Sequence, residues 1–212
     1  MAKPYYEDKW VTIYHGDCRE ILPKLNVKVD AIVVDPPYKT EFIPLYSEWW
    51  ESCDIVLKNG GVCFAMVGQY KLPDVIKSFP EAWEYLWMGC FEQRQMAATI
   101  WTRGIGSAWK PFIIYGKDFS KFKPWKYDVI SASGGYLNGK DSHKWGQPIN
   151  QFITLIERFE IKGLILDPLM GSGTTCVAAK FLNRKSIGIE IEEKYCEIAA
   201  NRCRQTVMEL GV

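Results

Sequence analysis

The chain of 212 residues lacks the features that most often assign a function at first reading. It has two histidines, and its seven cysteines form no Cys-x-x-Cys pair, so no zinc-ligand spacing is present. No apolar run is long enough to span a membrane, and charges begin at Lys3, so no secretion signal is expected. With 26 Lys and Arg against 25 Asp and Glu, the chain has no overall positive field that would bind nucleic acid indiscriminately.

What is present indicates one folded unit. A hydrophobic fraction of 48% supplies a core and excludes a disordered protein. The odd number of cysteines, in scattered apolar settings, favours buried and reduced thiols. We therefore expect a cytoplasmic protein with no membrane association and no bound metal.

Short runs rich in Val and Ile alternate with longer amphipathic stretches, which is typical of an α/β protein with a mostly parallel sheet. Strands are predicted at residues 10–14, 31–34, 61–67, 84–91, 112–115, 164–166 and 186–189. Helices are predicted at residues 18–25, 43–58, 73–78, 147–159, 173–182 and 192–210. From about residue 93 to 147 the periodicity is weak, which indicates loops around one strand.

The tetrapeptide Asp35-Pro36-Pro37-Tyr38 directly follows one of the predicted strands. Its two prolines restrict the backbone and remove two N–H donors, so the turn is stiff and presents carbonyl groups. A carboxylate, a carbonyl and an aromatic ring then project together. That set suits a planar group with an exocyclic amine, which would donate to Asp35 and the Pro36 carbonyl while it stacks on Tyr38. A surface β-turn is the alternative.

A second motif begins at Asp167 and consists of a strand end, a glycine-rich turn and a helix start. The residues assigned to it are Asp167, Pro168, Gly171, Ser172, Gly173, Thr174 and Thr175. The glycines permit close backbone approach and the helix start offers free amides, so a nucleotide-like cofactor is expected. Glu190 ends the next predicted strand, where its carboxylate is placed to bind ribose hydroxyls; a capping or solvated acid is the alternative.

Two other nucleotide sites fit this second motif less well. A P-loop is excluded because no Gly-Lys-Ser/Thr follows the glycines. A dinucleotide-dependent oxidoreductase is disfavoured because Cys176 stands where its third glycine would be.

Together the two motifs resemble the amino-methyltransferases that use S-adenosylmethionine (SAM) to methylate exocyclic amines of DNA bases. The tetrapeptide matches the catalytic motif of that family, and residues 167–175 match its SAM-binding motif. The catalytic motif comes first, which is the order in the beta class of the family. The resemblance extends from about Val11 to Arg204. It implies a Rossmann-like methyltransferase fold with a mostly parallel seven-stranded sheet and helices on both faces, and SAM as cofactor.

The resemblance also covers the segment His15-Gly16-Asp17-Cys18, which ends the first predicted strand. By analogy, Asp17 accepts a hydrogen bond from the adenine amino group of SAM, and the Cys18 amide donates to the ring. A helix cap is the alternative for Asp17. One departure lies before the SAM motif: the chain has Gln147 between His143 and Pro148, where the family commonly has lysine. The role of Gln147 stays open.

Within the family, Asp at the first position of the catalytic motif is associated mainly with adenine N6, and Ser mainly with cytosine N4. The resemblance therefore implies N6-adenine methylation in DNA, as in restriction-modification systems, with the target base flipped out of the duplex. Methylation of cytosine N4 or of RNA is the alternative. A module that binds SAM or nucleic acid without catalysis belongs to another class, and the intact Asp35 and Tyr38 argue against it.

The chain is expected to form a single catalytic domain, residues 1–212, with a loop-rich insertion at about 93–147 that contacts DNA. Basic residues and aromatics are interleaved there, which favours phosphate contact. The expected contacts are Arg94, Arg103, Lys110, Lys117, Lys121, Lys123 and Lys126. A solvated face is the alternative for these lysines. A homodimer would enlarge the DNA footprint, and the sequence leaves a partner endonuclease undecided.

Overall fold

A computed structural model describes residues 2–92, 98–100, 104–131 and 149–209 of the protein. Nine strands form the main sheet, in the order β1-β2-β11-β10-β3-β4-β8-β5-β9, and β6 pairs with β7 as a separate hairpin. The strands are β1 (Tyr6–Glu7), β2 (Val11–His15), β3 (Val29–Val34), β4 (Leu57–Met66), β5 (Glu84–Glu92), β6 (Ala98–Ile100), β7 (Ile105–Ser107), β8 (Trp109–Lys117), β9 (Val129–Ile130), β10 (Ile165–Asp167) and β11 (Ser186–Glu190).

The helices pack on both faces of this sheet. They are α1 (Cys18–Ile21), α2 (Tyr46–Val56), α3 (Leu72–Ile76), α4 (Ile149–Arg158), α5 (Thr174–Phe181) and α6 (Glu193–Glu209). Short 3₁₀ helices lie at Leu22–Lys24, Thr40–Leu45 and Gln69–Lys71. No described helix is both long and apolar enough to cross a membrane.

The expected α/β class is confirmed, and the strand count is corrected. The sheet is mostly parallel, as predicted, and β8 runs antiparallel between β4 and β5. Two of the nine strands, β1 and β9, are two-residue pairings at the sheet edges, which explains the difference from the seven strands expected. Such short pairings depend on the neighbouring strand and leave no periodicity in the sequence.

Strand β3 is apolar from residue 31 to residue 34, where both of its faces are covered, and it carries a charged residue, Asp30, near its start. Ile32 and Val34 belong to the hydrophobic cluster that includes α2, whereas Ala31 and Val33 belong to the cluster that includes α4. All four residues are fully buried. Polar side chains are therefore found at the two ends of the strand, with Asp30 near its start and Asp35 directly after its last residue.

The centre of the sheet is a topological switch point. The chain passes from β3 to β4 on one side, and from β10 to β11 on the other, while β3 and β10 are parallel neighbours. Helix α2 contributes to the core on one face and α5 contributes Ala178 and Ala179 to the core on the other. In such sheets the loops after the two central strands separate and leave a crevice between them.

The turn after β10 contains two glycines in left-handed conformations. Gly171 has φ +51° and a Cβ added there would meet no atom within 4 Å. Gly173 has φ +80° and its added Cβ would lie 2.6 Å from Cβ of Ala199 in α6. The first glycine therefore faces open space, whereas the second allows α5 and α6 to approach closely.

Replacing Gly173 with Ala is expected to destabilise the fold by about 2 to 4 kcal/mol, since it combines left-handed strain with overpacking against Ala199. Gly171→Ala is the matched control and should cost only about 1 to 2 kcal/mol, for the backbone strain alone. Urea unfolding of both variants measures the difference. Equal losses would show that the contact with Ala199 is not limiting.

Candidate active site

The turn formed by residues 35–38 lies at the carboxyl end of β3 and is hydrogen-bonded to α2. Pro36 is buried, and the Tyr46 hydroxyl of α2 donates to the carbonyl of Pro37 over 3.0 Å. Two prolines and this hydrogen bond fix the direction in which the turn leaves the sheet. The turn thus presents Asp35 and Tyr38 at the edge of the sheet rather than on a loose surface loop.

Both carboxylate oxygens of Asp35 have protein partners. Nζ of Lys110 lies 2.8 Å from Oδ2, and the Tyr38 hydroxyl donates to Oδ1. The Lys110 ammonium also lies 5.0 Å from the centre of the Tyr38 ring. The Asp35 side chain is 24% exposed and Tyr38 is 39% exposed, so carboxylate and ring can both be reached from solvent. Surrounding side chains and the Asp35 carboxylate raise the pKa of the Tyr38 hydroxyl, which keeps it a neutral donor.

The position of Lys110 corrects the expectation that it contacts phosphate. It lies near the start of β8, opposite Phe91 of β5, and only 9% of it is exposed. Burial lowers the pKa of its ammonium group, and the nearby Asp35 opposes that effect. A buried cation costs free energy unless it is paired, and Asp35 is the pairing group. Lys110 is therefore part of the site, a role that its local sequence does not indicate.

The glycine-rich turn and Glu190 meet at the same edge of the sheet. Glu190 Oε2 accepts from the amide of Gly171 over 2.9 Å, and Oε1 accepts from the amide of Glu192 over 2.8 Å. Each carboxylate oxygen keeps a further lone pair for a ligand hydroxyl. The turn is held by α6 as well, because Arg202 donates to the Ser172 carbonyl over 2.7 Å. Sequence reasoning missed Arg202, which lies 30 residues away in the chain.

Asp167 ends β10 inside the protein, where only 3% of it is exposed. Burial raises the pKa of its carboxyl group to about 7, and the charges of Asp35 and Glu190 act in the same direction. Hydrogen bonds from Thr175 and the Leu169 amide oppose the rise. Three carboxyl groups from the ends of three neighbouring strands thus influence one another across one crevice.

The carboxyl end of β2 is adjacent to Glu190, which ends β11. Strand β2 pairs with β11 so that His15 is opposite Glu190, and the Gly16 amide donates to the Glu190 carbonyl over 2.9 Å. Asp17 caps α1 by accepting from the Arg19 amide over 2.9 Å, and it also pairs with the Arg19 side chain. Cys18 is buried. The helix-cap alternative for Asp17 is therefore present in the structure, at a position beside the Glu190 strand end.

Two of the expected DNA-contacting lysines have internal partners instead. Lys117 lies at the opposite end of β8 from Lys110, with Nζ 2.7 Å from Oδ1 of Asp54. Lys126 lies 2.5 Å from Glu160, and only 8% of its side chain is exposed. Both positions contradict the expectation of a free phosphate contact, because each ammonium group is already neutralised.

Lys121 and Lys123 are exposed, as a phosphate contact requires. Between them Phe122 packs on Phe159, with ring centres 5.2 Å apart, so this aromatic serves the core rather than a nucleic-acid base. Arg94, Arg103 and the segment from His143 to Pro148 lie outside the described residues. Trp125 is 97% exposed.

The Asp35 side of the crevice has groups suited to binding a reactive amine. The other side has groups suited to binding a ribose. One rigid turn offers a carboxylate and an accessible ring, while the neighbouring strand ends offer a glycine turn and Glu190. No cluster of His, Cys, Asp and Glu side chains suited to a metal ion occurs in the part of the chain that the structure describes.

Comparison with known proteins identifies relatives of the chain. Residues 99–201 match a family model described as DNA methylase. The type II methyltransferase M.BglII of Bacillus subtilis is 30% identical, over 88% of this chain and 67% of its own length.

Two solved structures show the same fold. The SAM complex of M1.HpyAVI aligns with a TM-score of 0.71 and 24% identity, over 91% of this chain and 99% of its own. The cytosine-N4-specific PvuII DNA methyltransferase aligns with a TM-score of 0.75 and 17% identity, over 94% and 88%. At these identities the two likenesses describe the architecture only.

The raised pKa of Asp167 makes a prediction about stability. Because the native protein binds this proton more tightly than the unfolded chain, the stability that the proton confers is present below about pH 4 and is lost as pH rises to about 7. Asp167→Asn has no proton to lose, so its free energy of unfolding should not fall over this pH range. In urea unfolding, the free energy of unfolding of the variant relative to the wild type should therefore be higher at pH 8 than at pH 5, by on the order of a few kcal/mol. The same difference at both pH values would contradict this assignment.

Proposed function

The chain belongs to the family of SAM-dependent DNA amino-methyltransferases, and on that basis we propose that it transfers the methyl group of SAM to N6 of adenine in DNA. The observation that supports this proposal most strongly is the pairing of two motifs at neighbouring strand ends. Asp35 follows β3 and Asp167 ends β10, and these strands are parallel neighbours at the centre of the sheet.

The residues around the glycine turn fit SAM. Gly171 is left-handed and faces open space, so the backbone leaves room for a ligand there. The Glu190 carboxylate, fixed by two backbone amides, is suited to the two ribose hydroxyls. We assign the adenine end of SAM to Asp17 and Cys18, which are adjacent to that strand end. When bound, SAM supplies an electrophilic methyl group on a positively charged sulfur.

Asp35 and Pro36 are proposed to bind the target amine. The lone pair of an exocyclic amine is delocalised into the ring, which makes the nitrogen a poor nucleophile. Hydrogen bonds from the amine to the Asp35 carboxylate and the Pro36 carbonyl would favour a pyramidal nitrogen. The Pro37 carbonyl is already engaged by Tyr46. During methyl transfer from SAM to the amine, positive charge would develop on the nitrogen and the Asp35 carboxylate would stabilise it; the methylated nitrogen would then lose one proton to solvent.

Tyr38 is proposed to hold the target base by stacking. Its ring is 39% exposed at the mouth of the crevice, on the same turn as Asp35. A base paired within a duplex cannot bring its amine to this turn, so the base must be flipped out or already unpaired. Stacking on an aromatic side chain is worth about 1 to 3 kcal/mol per base, which offsets part of the cost of unstacking.

We favour adenine because the first position of the motif is Asp35. In this family Asp is associated mainly with adenine N6, and Ser with cytosine N4. Cytosine N4 is the competing target, and the shared fold of a cytosine-N4-specific enzyme keeps it a necessary arm of the test. RNA presents the same amines, so it forms a third arm.

We further propose that residues 1–212 act as one catalytic domain whose DNA contacts flank β8. The stretch 93–147 is interrupted by that strand, which pairs with β4 and β5 in the main sheet. DNA contacts are therefore assigned to the segments on either side of β8. Lys121 and Lys123 are retained as phosphate contacts, and Arg94 and Arg103 as residues near the base.

The proposal is tested by incubating the protein with isotope-labelled SAM and DNA of mixed sequence, digesting the product to nucleosides and identifying them by mass spectrometry. The expected product is N6-methyldeoxyadenosine. If the label is found in N4-methyldeoxycytidine instead, the target base is cytosine and not adenine. Label confined to a parallel RNA sample would overturn the DNA assignment.

The catalytic role of Asp35 is tested in the same assay. Asp35→Asn keeps an acceptor oxygen but loses the negative charge, so we expect methyl transfer to fall by about 100-fold or more. Tyr38→Phe keeps the stacking ring and should retain much of the activity. A folded Asp35→Ala variant that methylates DNA at the wild-type rate would contradict the catalytic assignment.

A further inference from the structure

We propose that Lys110 is a positioning residue for the catalytic turn: its ammonium group holds Oδ2 of Asp35 and fixes the orientation of that carboxylate before the target base arrives. The inference rests on the proposed function of Asp35. It adds a residue from β8, which contributes nothing to either of the sequence motifs.

The fold delivers Lys110 to Asp35 from a distance of 75 residues along the chain. Strand β8 runs antiparallel to β4, so its first residues lie at the edge where β3 and β4 end. Lys110 is one of the first residues of β8, and its side chain is 90% buried against the turn. A lysine held inside the sheet edge, with its head group 2.8 Å from the carboxylate, has little freedom to move away.

The two oxygens of Asp35 therefore have different tasks. Oδ2 is held by a buried group, Lys110, whereas Oδ1 is held by the hydroxyl of the more exposed Tyr38. An incoming amine can join or replace the tyrosine hydroxyl at Oδ1 without disturbing Oδ2. Lys110 thus fixes the rotation of the carboxylate before the base arrives, which lowers the cost of orienting the reacting groups.

The charge of Lys110 matters as much as its hydrogen bond. Among the described residues, the ionisable groups that act on Asp35 are Lys110 from β8, Tyr38 from its own turn, Tyr46 from α2 and Asp167 from β10. The two tyrosines are neutral donors, and Asp167 is a second acid. Lys110 is the cation of this set, so its attraction for the Asp35 carboxylate holds that side chain in place at a site where Asp167 supplies a second acid.

Asp35 stabilises Lys110 in return. Burial lowers the pKa of Lys110, and the Asp35 carboxylate opposes that effect by favouring the charged ammonium group. Removal of the cation should free the Asp35 side chain to rotate, so that its carboxylate is no longer oriented toward the incoming amine. A lysine that merely filled space in the core would be replaced equally well by methionine.

The direct test is NMR of the protein labelled with ¹³C at the aspartate carboxyl carbons, with the Asp35 signal assigned through Asp35→Asn and all spectra recorded at one fixed pH. In Lys110→Met the Asp35 signal should change its chemical shift and broaden, because the carboxylate has lost the group that holds it. Lys110→Gln keeps a hydrogen-bond donor without the charge and should show the same change if the methionine variant does not fold. Lys110→Arg keeps the cation and should leave the signal close to that of the wild type.

Lys117→Met is the matched control, since Lys117 is at the other end of the same strand and is paired with Asp54. It should leave the Asp35 signal unchanged. In kinetics, Lys110→Met should lower kcat about 10-fold to 100-fold at neutral pH, with KM for SAM within twofold of the wild type, and Lys110→Arg should restore much of the loss.

An Asp35 carboxyl signal that is the same in the wild type and in a folded Lys110→Met or Lys110→Gln variant overturns the positioning role, whatever the substrate of the enzyme. Absence of methyl transfer to DNA by the wild type overturns the proposed function instead. The NMR readout needs no substrate, so the two failures are distinguishable.

Discussion

The parallel pairing of β3 with β10 is the constraint on which the rest of the site depends. Both strands are buried on both faces at the centre of the sheet, so residues 31–34 and 165–166 are apolar, and Asp35 and Asp167 are the polar side chains at the carboxyl ends. The chain winds away from this pair in opposite directions, which leaves a crevice above the two ends. Asp35 and Asp167 are consequently neighbours although 132 residues separate them in sequence. The proposed catalytic and cofactor motifs face one another because of this single register.

The cost of this arrangement is the presence of several acids in a poorly solvated place. Asp167 is almost completely buried, and the charges of Asp35 and Glu190 raise its pKa further. Each acid is accommodated in a different way: Asp167 by favouring its neutral form, Glu190 by two backbone amides, and Asp35 by the Lys110 ammonium group. Only Asp35 combines a negative charge with an adjacent aromatic ring. Environment rather than residue type therefore separates the proposed roles of these acids.

The sequence could predict the α/β class, the six main helices and the strands that carry the motifs, because long apolar periods and a rigid Asp-Pro-Pro turn are local signals. It could not predict the short pairings β1 and β9, whose positions depend on neighbouring strands. Nor could it identify Lys110, which lies in a basic run that reads as a solvated or phosphate-binding surface. Lys110 is buried in an ion pair with Asp35, which lies 75 residues away in the chain. Lys117 and Lys126 were misassigned for the same reason, since Asp54 and Glu160 are distant in sequence.

We propose that the crevice has two functional sides, with the Glu190 side holding SAM and the Asp35 side acting on the amine. Isothermal titration calorimetry of SAM binding to two alanine variants tests this division most directly. Glu190→Ala should weaken binding by about 1 to 3 kcal/mol, the cost of losing a charged hydrogen-bonding partner, while Asp35→Ala should bind SAM as the wild type does. Unchanged SAM affinity in a folded Glu190→Ala variant would contradict the account.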